Sequence, residues 1–178
     1  MAAIRAREIP RMKYANWMWL AFLLSVPAQA ADMDFQGYAI EAEGPASGRQ
    51  ILRVQGKRYA IPGTPAQVVG KAQGCLSQRD SRAGVVSVDA DGGRLVAVSR
   101  VEYRDGGGAH LARGWLTVDA GDGAFGVALS KIGVLQASSG DAADEVFLPL
   151  GLDGGAGWEP ALAAVIEVEK SLVDCMFN

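Results

Sequence analysis

Polar and apolar positions alternate with a period of two between Gly84 and Ala137, and on either side of that stretch a helical period takes over. Within the alternating region, Val85–Asp89 and Arg94–Arg104 flank the turn residues Ala90-Asp91-Gly92-Gly93. His110–Ala120 and Ala124–Ala137 likewise flank Gly121-Asp122-Gly123. This predicts two consecutive hairpins joined by Asp105-Gly106-Gly107-Gly108. Upstream, Ile51 to Ile61 is rich in β-formers and stops at Pro62-Gly63, which predicts one earlier strand. Thr64-Pro65-Ala66-Gln67 then supplies an N-cap, a proline at the first helical position and a glutamine three residues after the cap. Val68, Ala72, Cys75 and Leu76 follow at helical spacing, so Cys75 belongs to the buried face of that helix. After a Gly/Asp/Ser-rich connection, Pro160 opens a second helix in which Ala161, Val165, Val168, Leu172 and Cys175 form the apolar stripe. Residues 31–49 mix Gly, Pro and acidic residues without a period and read as a loosely ordered arm ahead of a single domain over 50–178.

The order strand, helix, four strands, helix, with both helices on one face of an antiparallel sheet, defines an α+β two-layer fold. The run Ile61-Pro62-Gly63-Thr64, the helix, Val88-Asp89-Ala90-Asp91-Gly92-Gly93-Arg94-Leu95-Val96, and Asp122-Gly123-Ala124-Phe125 before a last strand carry a resemblance. Over roughly residues 50–177 the chain resembles a bacterial secreted or lipoprotein domain of unknown function with a TATA-binding-protein-like fold. One departure is Gly126, where the family pattern often has a basic residue. The resemblance implies a fold and no activity.

Charge divides the chain in two. In residues 1–30, Arg5, Arg7, Arg11 and Lys13 stand against Glu8 alone, leaving +3 there and −6 for the remainder, and all 23 glycines fall after residue 30. The basic stretch precedes an apolar run from Trp17 to Val26 and then Val26-Pro27-Ala28-Gln29-Ala30, the layout of a secretory signal peptide cleaved after Ala30. Ten apolar residues reach about 15 Å as a helix, half of a hydrocarbon core of roughly 30 Å, so this segment suits export better than anchoring. Ala31, not Cys, directly follows the cleavage point, so no lipid acceptor stands there. The expectation is a periplasmic or secreted protein, not associated with a membrane after cleavage.

Export changes the reading of the two cysteines. In an oxidising compartment Cys75 and Cys175, the only possible pair, are expected as a structural disulfide. Two buried thiols or a reactive thiol are the rival readings.

Recognisable catalytic and cofactor motifs fail on context. Gly121-Asp122-Gly123-Ala124-Phe125-Gly126 has the letters of a dinucleotide fingerprint but leads into strand-like residues, so it reads as a hairpin turn. Gly63 and Gly70-Lys71 are spaced wrongly for a phosphate loop. Asp89-Ala90-Asp91-Gly92 begins like a calcium loop, yet Arg100 stands where the twelfth-position Glu is required. His110, the single histidine, reads as an exposed loop residue, and Glu167 and Glu169 as part of a solvated helix side. No catalytic residue, cofactor or metal site is assigned, and the acidic chain beyond residue 30 argues against nucleic acid as a partner.

What remains is surface. Parity sets Leu95, Ala97, Ser99, Val101 and Tyr103, with Ala112, Gly114, Leu116 and Val118, beneath the helices. Arg100, Arg113 and Trp115 fall on the opposite face and are the candidate partner-binding residues, since Trp and Arg dominate interface hot spots. That face is expected to be open, or else covered by the 138–158 connection or the N-terminal arm. The sequence thus points to an exported, non-catalytic binding or inhibitor-like module of the bacterial envelope with an unknown protein or ligand partner. The alternatives are a hydrolase with an unrecognised site and a structural envelope component.

Overall fold

A computed structural model describes residues 33–45, 47–79, 82–121, 123–136, 145–152 and 157–178. The proposed signal segment lies outside them. In chain order the elements are β1 (Met33–Phe35), β2 (Tyr38–Glu43), β3 (Gln50–Ala60), α1 (Pro65–Arg79), β4 (Ala83–Asp89), β5 (Arg94–Asp105), β6 (Gly108–Gly121), β7 (Ala124–Leu135), β8 (Phe147–Pro149) and α2 (Trp158–Phe177). The strands form one antiparallel sheet in the order β1-β2-β3-β7-β6-β5-β4, with β8 added along β7. α1 lies over β4–β6 and α2 over β5–β7, both on the same face, which is the expected α+β arrangement. Among the described residues no helix is long and apolar enough to cross a membrane.

The local signals act as elementary chemistry dictates. At the start of α1 the Gln67 backbone N–H donates to Thr64 Oγ1 at 3.3 Å, and the Thr64 N–H donates to Gln67 Oε1 at 2.9 Å, a reciprocal capping box. Val68, Ala72, Cys75 and Leu76 are buried as their spacing requires. α2 buries Ala161, Leu162, Val165, Ile166, Val168, Leu172 and Met176 against the sheet. It approaches closely at Gly114, where an added Cβ would lie 2.8 Å from Val165 Cγ1. Pro160 sits in the first turn of α2, where its missing N–H has no intrahelical partner to lose. Cys75 of α1 and Cys175 of α2 are bonded, with Cα atoms 5.9 Å apart.

Three expectations are corrected. Residues 33–43 are not a loose arm: they form the β1–β2 hairpin, and β2 pairs with β3 while burying Tyr38, Ile40 and Ala42. The alternation within Tyr38–Glu43 is the physical reason, for it gives the strand one apolar face to hide. The connection between β7 and α2 carries β8, too short for any period to register. Finally, β4 begins at Ala83 and α2 at Trp158, each two residues before the position its pattern indicated, and in β4 the added residues pair with Ser99 and Val98 of β5.

Candidate functional site

The site is best built from β5 and β6, whose pairing places Ser99 opposite Gly114, Arg100 opposite Arg113 and Val98 opposite Trp115. Gly114 meets α2, so Arg113 and Trp115 point away from the helices, and cross-strand pairing sends Arg100 the same way. Leu95, Ala97, Ser99 and Val101 are buried on the other face, as are Ala112, Leu116 and Val118. The buried Ser99 hydroxyl donates to the Gly114 carbonyl at 3.1 Å. All three surface candidates therefore occupy the helix-free side of the sheet.

Two guanidinium groups directly opposite each other would repel. β8 intervenes here. It brings Phe147 to within 4.2 Å of the Arg113 guanidinium carbon and 5.8 Å of that of Arg100, measured from the ring centroid. Just before β8, Glu145 Oε2 accepts from Arg100 Nη2 at 2.8 Å. Both members of that pair are about half exposed, at 53% and 48%, so solvent screening limits it to about 1 kcal/mol at most. The guanidinium–aromatic contacts are of similar size, roughly 0.5–1 kcal/mol each at such sites.

A third cation reaches the face through a backbone irregularity. The β6–β7 register shifts between Arg113 and Trp115, so that Lys131 is an extra residue in β7. Its φ of 48° is left-handed, an uncommon state for a residue with a side chain. Beyond the bulge Ile132 is buried towards α2, while the Lys131 ammonium lies 4.5 Å above the Trp115 ring. Strict alternation through β7 could not have shown this. A groove of about 270 Å³ adjoins these groups, lined among others by Arg113, Lys131, Glu43, Leu52, Phe147 and Pro149. The described part of the 138–158 connection thus flanks the face at Arg100 and Arg113, and the N-terminal hairpin extends the sheet at its edge.

Gly126, where the resembling pattern has a basic residue, lies beneath a cation supplied by the neighbouring strand. The Arg58 Cγ is 3.6 Å from the position of an added Cβ.

Two titratable groups depart from expectation. His110 is not an exposed loop residue: it is a half-buried member of β6, with Nε2 3.0 Å from Asp105 Oδ1 and its ring stacked on Tyr103 at 5.3 Å. The turn explains this, because Asp105 also accepts the Gly107 N–H at 2.7 Å and so holds the carboxylate where the imidazole reaches it. The Gly107 N–H, and secondarily His110, hold the Asp105 carboxyl below its usual range. Among the described residues no hydroxyl or thiol is hydrogen-bonded to His110.

Glu169 does not belong to a solvated side. It is fully buried on α2, whereas Glu167 is exposed and pairs with Lys170 at 2.7 Å. The spacing was informative, because Glu169 stands four residues after Val165 and three before Leu172, on the apolar stripe. Neither of its carboxyl oxygens has a hydrogen-bond partner. Burial, the dominant influence, pushes its pKa up to about 7 against smaller lowering influences of the Tyr38 hydroxyl and Lys170. Burial and then the Glu169 charge raise Tyr38 in turn. Among the described residues no group of three or more His, Cys, Asp or Glu is placed to hold a metal ion.

No protein-family profile matches the sequence, and no curated protein is similar to it. Solved structures are. A DUF4468 family protein from Bacteroides ovatus aligns with a TM-score of 0.52 and 13% identity, over 84% of this chain and 92% of that one. A TBP-like protein from Parabacteroides distasonis aligns with a TM-score of 0.50 and 11% identity, over 82% and 97%. At such identity the likeness shows the fold alone, and it is the TATA-binding-protein-like fold that the sequence resembles.

Proposed function

We propose that this chain is an exported, non-catalytic binding module whose partner docks on the helix-free sheet face, centred on Arg100, Arg113 and Trp115. The observation that carries the reading is the pairing of cations with aromatic rings on that face: Arg113 over Phe147 and Lys131 over Trp115. Such residues combine a large apolar contact with a charge that orients a partner, the composition of interface hot spots. The basic, apolar and small-residue layout of residues 1–30 supports export, and the Cys75–Cys175 bond is compatible with an oxidising compartment. The periplasm or the cell exterior is the proposed location, with an envelope protein or ligand as partner.

Crosslinking of the chain in its native envelope, followed by mass spectrometry, tests this. A partner peptide crosslinked near Trp115 and lost in Trp115→Ala supports the reading. Crosslinks confined to the helix layer, unchanged by that substitution, would overturn it.

A further inference from the structure

Building on the reading of this face as a docking surface, we propose that the groove beside Arg113 and Lys131 receives an acidic segment of a partner protein. The segment would be extended, with carboxylates on the same side as an apolar residue.

Charge is the first argument. Beyond residue 30 the chain carries −6, yet the charged lining of the groove is Arg113 and Lys131 against Glu43. Neither cation has a carboxylate partner among the described residues: the neighbouring Glu145 pairs with Arg100, and the ion pairs of Arg94, His110 and Lys170 lie elsewhere. With two cations against Glu43 alone, the groove of an otherwise acidic protein has a net positive lining and is complementary to an anion there.

Desolvation is the second. Arg113 Nε is buried without a hydrogen-bond partner, and the guanidinium carbon lies 4.2 Å over the Phe147 ring centroid. A guanidinium already stripped of part of its water loses less hydration when a carboxylate meets its remaining N–H groups, and its planar fork suits a carboxylate. Lys131, held over Trp115 by the bulge, offers a point charge beside it.

The apolar lining is the third. Leu52 is 42% exposed at the groove, and Phe147 and Pro149 form its β8 side. At about 270 Å³ the space is smaller than the roughly 300–1,000 Å³ of ordinary small-molecule sites and suits individual side chains of a longer ligand. An extended peptide presents alternate side chains to one surface, so acidic and apolar residues two apart would face the groove together. A planar layer of lipid headgroups would instead favour protruding cations, and Arg113 is half-buried.

Fluorescence anisotropy of the oxidised full chain tests the proposal, with the fluorescein-labelled, end-blocked peptide Ser-Glu-Ser-Leu-Ser-Glu-Ser as probe. The expected result is saturable binding, weakened about tenfold or more when Gln replaces both Glu, and weakened further by added salt. Arg113→Gln and Lys131→Gln should each reduce affinity about fivefold or more, while Arg94→Gln, removed from the groove and paired with Asp119, should not. An unchanged melting temperature in each variant shows that the loss is not unfolding. Equal binding of the Gln peptide, or no binding by about 1 mM protein, would overturn the proposal. So would binding to phosphatidylglycerol vesicles that the same substitutions abolish while the peptide fails to bind. If Trp115→Ala removes the native crosslink but the acidic peptide does not bind, the docking face stands and the acidic ligand falls.

Discussion

The carboxyl group of Glu169 fills the space that a side chain at position 56 would need. A Cβ built on Gly56 would collide with Glu169 Oε1 and lie 3.1 Å from Cδ and 3.2 Å from the Val127 carbonyl oxygen. The glycine stands where the β3–β7 register is broken between Gln55 and Arg58, so α2 presses its one buried acid into a gap in the sheet. Gly56→Ala is expected to destabilise the fold by about 1–3 kcal/mol through overpacking. Urea unfolding should show it, and Glu169→Ala should partly relieve Gly56→Ala in the double variant, because the two changes share one volume.

Glu169 also sets a pH dependence whose direction is unusual for an acid. Its pKa rises from 4.5 to about 7 on folding, so between these values the native state holds a proton that the unfolded chain has lost. Stability is fully present below pH 4.5 and declines as pH rises towards 7, where the buried carboxylate ionises without a partner. The decline amounts to about 3 kcal/mol for this group. Urea midpoints at pH 5 and pH 8 measure it. Glu169→Gln should flatten the profile and exceed the parent protein in stability at pH 8.

The disulfide spans a separation of 100 residues and ties the two helices together above the sheet. Replacing both Cys75 and Cys175 with Ala should lower stability by about 2–5 kcal/mol, with about 4.7 kcal/mol the ceiling from chain entropy. Reductant should lower the melting temperature of the parent protein and leave that of the double variant unchanged.

Lys131 separates stability from binding. Glycine adopts φ near 48° without strain, so Lys131→Gly should leave the melting temperature equal or slightly raised. It should nevertheless weaken the native crosslink at Trp115, because the ammonium above the ring is gone. A melting temperature that drops sharply would mean that the cation–ring contact supports the fold.

How much of this was legible depended on whether local pattern and tertiary demand agreed. β5 and β6 are long and regular, so alternation alone assigned Arg100, Arg113 and Trp115 to the helix-free face. The capping box at Thr64 and Gln67 and the inward placement of Cys75 were equally local. Tyr38, Ile40 and Ala42 alternate too, but six residues between Gly and Pro punctuation give little signal beside a long strand. Glu169 was hidden by its chemistry, since its position was apolar while its side chain was not. Lys131 and Phe147 could not be read at all. One acquires its direction from a bulge and the other from a three-residue strand, and both depend on partners distant in sequence.

The place of β3 in the sheet has a bearing on how the chain acquires its shape. β4 to β7 is a meander whose contacts are local, whereas β3 must wait for β7, and the Gln55 amide that donates to the Val127 carbonyl reaches across 72 positions. Closing so long a loop before any contact rewards it is slow, so the meander is expected to assemble first and β3, carrying the β1–β2 hairpin with it, to dock last. Until then the free edge of β7 is bare, and it is there that a second unfolded copy would compete with β3.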